Sequence, residues 1–317
     1  MSRPTNDDLA LEPVIPAGGK RLALDFPGLE IGVAEYAEGP TGCTVIHVPD
    51  GATLAVDVRG GSPAWVGDYG WTHAVCLAGG SIHGLEAVAG VTAELFARRD
   101  HATGWDQLGL ASGAIIFDYR PRDNAIYPDK ALGRAALRAA VPGSFPLGRR
   151  GAGISATVGK GSPIASHEPS GQGAATLTEG PLRIAFFTVV NAVGAVVDRS
   201  GRVVRGYLDP ATGDRLSAAA ALRAEGTAPP PPGNTTISVL AVNQAMERFD
   251  LVQLGRQVHT SMARAIHPFH APTDGDVLFT LTTGDLAADA PGALPTMVLG
   301  VLAADLAWDA VLSAVAD

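Results

Sequence analysis

Residues 228–242 read Ala-Pro-Pro-Pro-Pro-Gly-Asn-Thr-Thr-Ile-Ser-Val-Leu-Ala-Val. Proline has no amide hydrogen, so four in a row can neither continue a helix nor join a central strand, and residues 228–232 are predicted to form an exposed connector. Residues 237–242 are apolar and β-branched, which predicts a buried strand. A connector that runs from solvent directly into a central strand is a place where a chain can be processed.

The pair Asn234-Thr235 lies where the connector meets the strand. Cleavage between these two residues would have a chemical function, because it would change the reactivity of Thr235. A threonine hydroxyl is a poor nucleophile because it stays protonated at neutral pH. Cleavage before Thr235 would free its α-amino group, whose ordinary pKa of about 7.7 to 8.0 allows it to accept that proton. One residue would then be both nucleophile and base. The pair alone does not establish this hypothesis, since Asn-Thr pairs are common.

Predicted helices and strands follow one another in mixed order along the chain. Strands are expected at residues 31–36, 44–48, 114–117, 183–190, 194–198, 237–242 and 277–281, and helices at residues 82–96, 130–140, 216–225, 251–266 and 297–315. No regular βαβ alternation is visible, which favours a layered α+β fold over a doubly wound sheet.

Composition and charge exclude several classes of protein. Of 317 residues, 46% are hydrophobic and 17% are charged, which is typical of a globular protein with a large core. The net charge of −9 and the lack of a basic run argue against a nucleic-acid partner. Residues 1–20 are predicted to be a flexible arm, followed by a single domain over residues 21–317.

The sequence carries no recognisable targeting signal. Residues 1–20 lack an apolar signal core, and no uninterrupted apolar run is long enough to span a bilayer, so no membrane partner is expected. Cys43 and Cys76 are too few for a disulfide framework and are predicted to be buried and reduced. A cytoplasmic location is therefore expected.

Three short segments match known motifs, but the surrounding sequence argues against each of these functions. Residues 151–156 fit the dinucleotide pattern G-x-G-x-x-A, but Pro142 and Pro146 stand where its strand should be. Residues 159–162 resemble a phosphate loop, but an extra glycine separates the lysine from the serine. Residues 234–236 form a glycosylation sequon without a secretion signal. No organic cofactor is expected.

A cluster of His and Asp residues near the carboxyl end raises the question of a metal. His267, His270, Asp274 and Asp276 are all capable of binding one. However, Pro268 prevents both imidazoles from lying on one helix face, and no third histidine is nearby, so no catalytic metal is expected.

Motifs spread over nearly the whole chain are similar, in one register, to those of a known family. They are Leu24-Asp25-Phe26-Pro27-Gly28, Glu38-Gly39-Pro40-Thr41-Gly42, Tyr127-Pro128-Asp129-Lys130-Ala131-Leu132-Gly133-Arg134, Gly233-Asn234-Thr235-Thr236-Ile237-Ser238, Gln257-Val258-His259, Pro268-Phe269-His270, Asp274-Gly275-Asp276 and Trp308-Asp309-Ala310-Val311-Leu312. From about residue 20 onward the chain resembles the nylon-oligomer hydrolases (6-aminohexanoate-oligomer endohydrolases), relatives of the self-cleaving D-aminopeptidases and β-peptidyl aminopeptidases.

This resemblance implies a fold, an activity and an assembly. The fold is a four-layer αββα sandwich, similar in layering to N-terminal-nucleophile hydrolases but differently connected. The activity is hydrolysis of small oligoamides of ω-amino acids through an acyl-enzyme, without metal or cofactor. The chain would be cut into residues 1–234 and 235–317, which stay packed together in a homo-oligomer, expected to be a tetramer.

The resemblance also implies the catalytic residues. Thr235 matches the nucleophile, and Asp274 and Asp276 match an acidic pair that would hold its ammonium group. Lys160 matches a lysine near the nucleophile hydroxyl, and Asn191 matches an amide suited to an oxyanion. Without the resemblance, Lys160 would be interpreted as an exposed loop lysine and Asn191 as a buried amide that caps the backbone.

One position departs from the family. The nylon hydrolases have a tyrosine in the catalytic cluster where this chain has Phe117, which has no phenol. Tyr119 lies two positions on and is expected on the same strand face, so both are candidate substrate-binding residues.

Three alternative functions stay open. They are a β-peptidyl or D-aminopeptidase of the same family, an acyltransferase of the ornithine acetyltransferase type, and a binding protein that keeps the fold without catalysis. The last has no need of the threonine, lysine, asparagine and aspartates together.

Overall fold

The computed structural model describes residues 3–224 and 233–316 of the uncleaved chain. The connector predicted at residues 228–232 lies outside the described residues. Part of the N-terminal segment contacts the body of the protein: the Ala125 amide donates to the Pro4 carbonyl (2.7 Å), and Val14 and Glu35 exchange two backbone hydrogen bonds. The flexibility of residues 1–20 as a whole stays a prediction.

The described residues form sixteen strands and five α-helices. The strands are β1 (Arg21–Leu24), β2 (Glu30–Tyr36), β3 (Thr41–Gly60), β4 (Trp65–Val66), β5 (Trp71–Ala78), β6 (Ala111–Ile115), β7 (Gly143–Pro146), β8 (Thr157–Val158), β9 (Glu168–Pro169), β10 (Gln172–Glu179), β11 (Leu182–Asn191), β12 (Ala195–Val197), β13 (Val203–Arg205), β14 (Thr235–Gln244), β15 (Ile266–His267) and β16 (Gly275–Leu286). The helices are α1 (Leu85–Arg98), α2 (Lys130–Arg138), α3 (Ala218–Leu222), α4 (Arg248–Ser261) and α5 (Thr296–Ser313).

The long strand β3 joins two sheets. Its register with β5 shifts between His47 and Ala52, at a turn of the strand that contains Gly51 with φ of 81°. The first half pairs with β2 and β5. The second half pairs with β16, and its first residues, Ala52 and Thr53, also pair with β5. The hydrogen-bonded sheet is continuous through β3 and has nine strands. Its two halves, β10-β11-β14-β16-β3 and β2, β3, β5, β6 and β4, form the two sheets of the sandwich, which share one core.

Successive side chains along each strand point to opposite faces of the sheet, and the two faces contact different layers. In β11, Phe187 and Val189 point into the core between the sheets, whereas Phe186 and Val190 point into a second core beneath α4 and α5. In β3, Ile46 belongs to the central core and Val45 to a third core beneath α1 and α2. Both sheets are thus buried on both faces, which explains why their sequences are continuously apolar.

The layers are α4 and α5, sheet, sheet, and α1 and α2, so the predicted α+β class and αββα layering are confirmed. Within the described residues, α5 is the one helix with the length and apolar composition to cross a membrane. A buried helix of a globular protein has the same properties, and α5 packs against β10, β11 and α4.

Several predicted elements need correction. Strands β5 and β10 and the second half of β3 were not predicted. For β10 the reason is its sequence, which has one large apolar residue, Leu177, among Gly, Ala and Thr. The helix predicted to reach residue 266 ends at Ser261, and β15 follows. The strand predicted at residues 114–117 ends at Ile115.

Candidate active site

Three strand ends meet at Thr235, the first residue of β14. Strands β14 and β16 are parallel, so they begin side by side, and Asn234 bridges to Asp274 just before both. Strand β11 is antiparallel to β14 and ends at Asn191, which stands opposite Thr235. The topology therefore brings together three segments that are far apart in sequence.

The Thr235 side chain is buried, with 3% of its surface exposed, and it faces the preceding peptide. Its hydroxyl donates to the Asn234 carbonyl oxygen (2.5 Å), and the same oxygen accepts from the Gly275 amide (2.8 Å). The Gly275 hydrogen bond draws electron density toward that oxygen. The hydroxyl thus lies beside a carbonyl whose developing negative charge has a donor in place.

Lys160 and Asn191 form a buried polar pair next to Thr235. The Lys160 Nζ donates to the Asn191 carbonyl (2.8 Å) and to its Oδ1 (2.9 Å), and the Thr157 amide also donates to Oδ1 (3.0 Å). Two donors on one oxygen assign the orientation of the amide, whose Nδ2 donates to the Phe117 carbonyl (3.0 Å). An Asn Nδ2 carries two hydrogens, so one stays available for an oxyanion.

The charge of Lys160 is disfavoured in this environment. Burial lowers the pKa of Lys160 well below its usual value, the Arg120 guanidinium lowers it further, and the Asp274 carboxylate opposes both. Lys160 is also buried, with 5% of its surface exposed. The interpretation of Lys160 as an exposed loop residue is therefore wrong.

Asp274 is fixed by backbone amides and is hard to ionise. Val193 N donates to its Oδ1 (3.2 Å) and Ala271 N to its Oδ2 (3.0 Å). Burial, followed by repulsion from the neighbouring Asp276 carboxylate, raises the pKa of Asp274 to about 7. The two amide donors and Lys160 act in the opposite direction.

The Asp276 carboxylate makes hydrogen bonds to both β14 and His270. Its Oδ1 accepts from the Thr236 amide (2.7 Å), and its Oδ2 accepts from the His270 amide (3.2 Å) and lies 2.9 Å from His270 Nδ1. His270 therefore orients the carboxylate. The sequence singled out His270 only as a possible metal ligand.

Behind His270 lies a second histidine that the sequence gave no reason to select for the site. The rings of His270 and His259 are 4.5 Å apart between centroids, and His259 Nδ1 lies 2.8 Å from Asp57 Oδ2. His259 comes from α4 and Asp57 from β3, so only the packing of these elements brings them together. Among residues 3–224 and 233–316, no group of three potential ligands is placed to hold a metal ion.

Phe117 lies directly beside the cleavage position. Gly233 has φ of 101°, and a Cβ on it would lie 2.6 Å from the Phe117 ring, so ring and backbone are in close contact. The rings of Phe117 and Tyr119 are 5.6 Å apart. The prediction that they share a strand face is wrong, because β6 ends at Ile115 and both lie in the loop after it.

Two cavities lie beside residues of the site. One, of 410 Å³, is bordered by Lys160 and Arg120. The other, of 520 Å³, is bordered by the Phe117, Tyr119 and Tyr127 side chains. The structure thus brings together the predicted residues Thr235, Lys160, Asn191, Asp274, Asp276 and Phe117, with Tyr119 adjacent. One cavity borders Lys160 and the other borders Phe117.

The same layering occurs in a solved structure. The L-aminopeptidase D-Ala-esterase/amidase of Ochrobactrum anthropi, described as a variant of the Ntn hydrolase fold, superposes with a TM-score of 0.65 at 17% identity, over 95% of this chain and 88% of that one. The fold therefore places this protein in the structural class that has the layering of the Ntn hydrolases.

Sequence comparison narrows the class to a family. The profile of Peptidase family S58 matches residues 23–317. A 6-aminohexanoate-oligomer endohydrolase of Paenarthrobacter ureafaciens is 48% identical over 98% of this chain and 90% of its own length, and one of Agromyces sp. (strain KY5R) is 47% identical over the same shares. The chain belongs to peptidase family S58, and the resemblance to the nylon-oligomer hydrolases is confirmed.

Proposed function

We propose that this chain cleaves its own Asn234-Thr235 bond and then uses Thr235 to hydrolyse amide bonds in short oligomers of ω-amino acids. The observation that carries the proposal is the geometry at the cleavage position. The Thr235 hydroxyl lies 2.5 Å from the Asn234 carbonyl oxygen, and the Gly275 amide donates to that oxygen. The hydroxyl that we propose as nucleophile and a hydrogen-bond donor to the carbonyl oxygen both adjoin the bond to be cleaved, which supports the proposal.

Self-cleavage proceeds in two steps. The Thr235 Oγ forms a bond to the Asn234 carbonyl carbon and gives its proton to Lys160, whose pKa is lowered by burial. The tetrahedral oxygen is stabilised by Gly275 N–H, and the C–N bond breaks as the amine leaves with a proton. Water then hydrolyses the resulting ester, which frees the carboxylate of Asn234 and the α-amine of Thr235.

Hydrolysis of a substrate repeats this chemistry with an external amide. Thr235 Oγ attacks the substrate carbonyl and forms an acyl-enzyme, the amine product leaves, and water releases the acid. Asp274 and Asp276 lie next to the new α-ammonium and favour its charged form, while Lys160 exchanges the proton. The free Nδ2 hydrogen of Asn191 is suited to donate to the substrate oxyanion.

The relatives and the aromatic cavity support the substrate class. The two relatives carry the name 6-aminohexanoate-oligomer endohydrolase. A polymethylene chain offers few hydrogen-bonding groups, so its affinity must come from apolar burial, at about 0.8 kcal/mol per methylene. The 520 Å³ cavity, bordered by Phe117, Tyr119 and Tyr127, supplies such surface.

We extend the proposal to the assembly and the location. The low charged fraction of 17% fits a protein that buries surface between subunits, and we propose a homotetramer of cleaved pairs. The free, buried Cys43 and Cys76 fit a reducing compartment, and we place the protein in the cytoplasm. Fractionation of the producing cells would test the location.

Mass spectrometry of the purified protein tests the self-cleavage. At the mean residue mass of this 32.4 kDa chain, cleavage gives fragments of about 24 and 8.5 kDa. The small one should begin Thr-Thr-Ile-Ser. Thr235→Ala should stay at full length and be inactive, and the matched control Thr236→Ala should still be cut, because its hydroxyl has no hydrogen-bond partner in the site.

The cleaved enzyme should release free amines from an aminohexanoate trimer without an added acyl acceptor. Its kcat/KM for the trimer should exceed that for β-alanyl and α-aminoacyl amides. The reverse order would make it an aminopeptidase, and a strict need for an acceptor would make it an acyltransferase. An active protein of intact mass would contradict the role of Thr235.

A further inference from the structure

The wall of the 520 Å³ cavity includes two separate parts of the chain. One part is the loop after β6, residues 116–127, which contributes the aromatic rings described above. The other part is the segment of residues 3–8, hereafter segment 3–8. Three residues of segment 3–8 line the cavity: Arg3, Thr5 and Asp7. The cavity therefore has this shape only while segment 3–8 lies against the loop.

Main-chain hydrogen bonds attach segment 3–8 to the loop. The Asn6 Nδ2 donates to the Tyr127 carbonyl (3.0 Å), and the Asn6 Oδ1 accepts from the Tyr127 amide (3.0 Å). An asparagine side chain carries both a donor and an acceptor, so it can bond both main-chain groups of one residue, as a neighbouring strand would. The Pro4 carbonyl also accepts from the Ala125 amide (2.7 Å). Asn6 is therefore the side chain that fixes segment 3–8 in place.

Segment 3–8 also has internal hydrogen bonds. The Thr5 amide and hydroxyl both donate to Asp8 Oδ2 (2.9 and 2.8 Å), and the Asp8 amide donates to the Thr5 carbonyl (3.2 Å). These bonds close a turn. A wall that is ordered before a ligand arrives costs less entropy on binding than one that the ligand must order.

The loop on the other side of the cavity is held by a buried cation. The Arg122 guanidinium donates to Asp118 Oδ1 (2.6 Å) and to the Ile126 carbonyl (2.8 Å), and only 6% of the Arg122 surface is exposed. The Arg122 guanidinium also lies over the Tyr119 ring, 4.7 Å from its centroid. Both parts of the wall are thus fixed by hydrogen bonds.

The cavity lies on the acyl side of the candidate scissile bond. The Phe117 ring, which borders the cavity, contacts Gly233, and Gly233 and Asn234 precede the bond that is to be cut. When an external amide takes the place of this bond, its acyl part takes the place of Asn234 and Gly233. An extended acyl chain then reaches the cavity beside Phe117.

We propose that segment 3–8, held by Asn6, determines substrate specificity by closing the cavity over the methylene chain of the acyl part. The inference rests on the proposed function and adds to it the part of the chain that selects a long acyl group over a short one. Arg3 and Asp7 bring one charge of each sign, so segment 3–8 adds no net charge to the wall. It therefore favours neither the charged amino end nor the charged carboxyl end of an oligomer.

The test compares hexanoyl p-nitroanilide with acetyl p-nitroanilide, which share a leaving group and differ by about four methylenes in the acyl part. Each buried methylene is worth about fourfold in affinity, so two or three give the cleaved enzyme a preference of about 10- to 50-fold in kcat/KM for the hexanoyl substrate. Removal of residues 3–8 should reduce this preference to about threefold or less, and Asn6→Ala should reduce it at least about threefold. The loss should lie in KM for the hexanoyl substrate and not in kcat, because the contact is made equally in the ground and transition states.

Asn243→Ala is the matched control, because it removes the same kind of contact far from the cavity. The Asn243 side chain accepts from the Arg183 amide (2.8 Å) and donates to the Pro181 carbonyl (2.9 Å). It lies on β14 at about 26 Å from Thr235, at about 3.3 Å per residue. This variant should keep the full preference, and the ratio of the two substrates cancels any loss of folded enzyme. An unchanged ratio in either segment variant, or an equal fall in Asn243→Ala, would overturn the proposal.

A binding measurement separates this inference from the proposed function, since it needs no turnover. In calorimetric titration, N-butylhexanamide should bind uncleaved Thr235→Ala, and removal of residues 3–8 from that variant should weaken the binding at least about threefold. If binding depends on segment 3–8 and no amide is hydrolysed, the proposed function fails and the specificity wall stands. If amides are hydrolysed and neither binding nor the hexanoyl preference depends on segment 3–8, the wall fails and the proposed function stands.

Discussion

At the scale of single residues, the site contains buried ionisable groups. Burial disfavours their charged forms, and neighbouring charges and hydrogen bonds favour them. Asp274 combines a raised pKa with two backbone amides that bind its oxygens, so it is held in position whether or not it is ionised. Its amide partners are Val193, two residues after the end of β11, and Ala271, before β16. A carboxyl group in this position links the stability of the site to pH.

The pH dependence of that stability has a definite sign. The pKa of Asp274 is about 7 in the folded protein and 3.8 as the ordinary value, so between these limits the folded state holds a proton that the unfolded state has released. Stability contributed by this proton is complete below the lower limit and is lost as pH rises through the upper one.

The test compares uncleaved Thr235→Ala with the double variant Thr235→Ala/Asp274→Asn. As pH rises from about 4 to 7, the free energy of unfolding of the double variant should increase relative to that of Thr235→Ala by about 1 kcal/mol or more. Above pH 7 this difference should stay constant. Urea unfolding at a series of pH values measures it. Asp106→Asn, at an exposed aspartate, is the control. A difference between Asp274→Asn and its parent that does not vary with pH would contradict this assignment.

At the scale of elements, the entry into β14 is held by a glycine against an aromatic ring. Gly233 is in the left-handed region of φ, and the Phe117 ring occupies the space in which a side chain would lie. The loop after β6 therefore contacts the chain at the cleavage position, on which β11 and β16 also border. The contact fixes the Asn234 carbonyl where the Thr235 hydroxyl can reach it.

Gly233→Ala should therefore slow self-cleavage of freshly made chain at least about tenfold, since a displacement of about 1 Å at a reacting centre can cost far more. Gly213→Ala is the matched control: its φ is 76°, but a Cβ there meets nothing within 4 Å, so it carries the backbone strain without the clash. Gel densitometry over time gives both rates. Adding Phe117→Ala to Gly233→Ala should restore part of the rate, and equal slowing in the two glycine variants would assign the effect to strain alone.

At the scale of the whole molecule, the segment after the cleavage position supplies the middle of the fold. Residues 235–317 contain β14 and β16, which lie side by side between β11 and β3 of the preceding segment. They also contain α4 and α5, one complete outer layer. Separation of the two segments would expose both strand edges and two hydrophobic cores.

The two fragments should therefore co-elute in gel filtration without denaturant and unfold in a single urea transition. Light scattering on the same peak should give about four times the 32.4 kDa chain mass. Uncleaved Thr235→Ala should elute at the same volume. A small fragment that elutes alone in native buffer would contradict the packing of the two segments. A mass below four chains would exclude the tetramer but would leave the packing of the two segments unaffected.

The sequence by itself determined whatever depends on neighbouring residues. The apolar run after Thr235 specified a buried strand, and the amphipathic spacing placed α1, α2, α4 and α5 to within a few residues, except for the end of α4. The motifs, compared as a set, specified the αββα layering and selected the residues that the structure gathers around Thr235.

Only the tertiary structure decided how distant residues meet. Lys160 bonds Asn191 across 31 residues, Asp276 bonds the Thr236 amide across 40, and His259 bonds Asp57 across 202. Each contact depends on which strands pair and in what register, and neither is specified by residues that are neighbours in sequence. The charge of a buried group likewise depends on neighbours from other elements, since burial and the Coulomb interaction act through space and not along the chain.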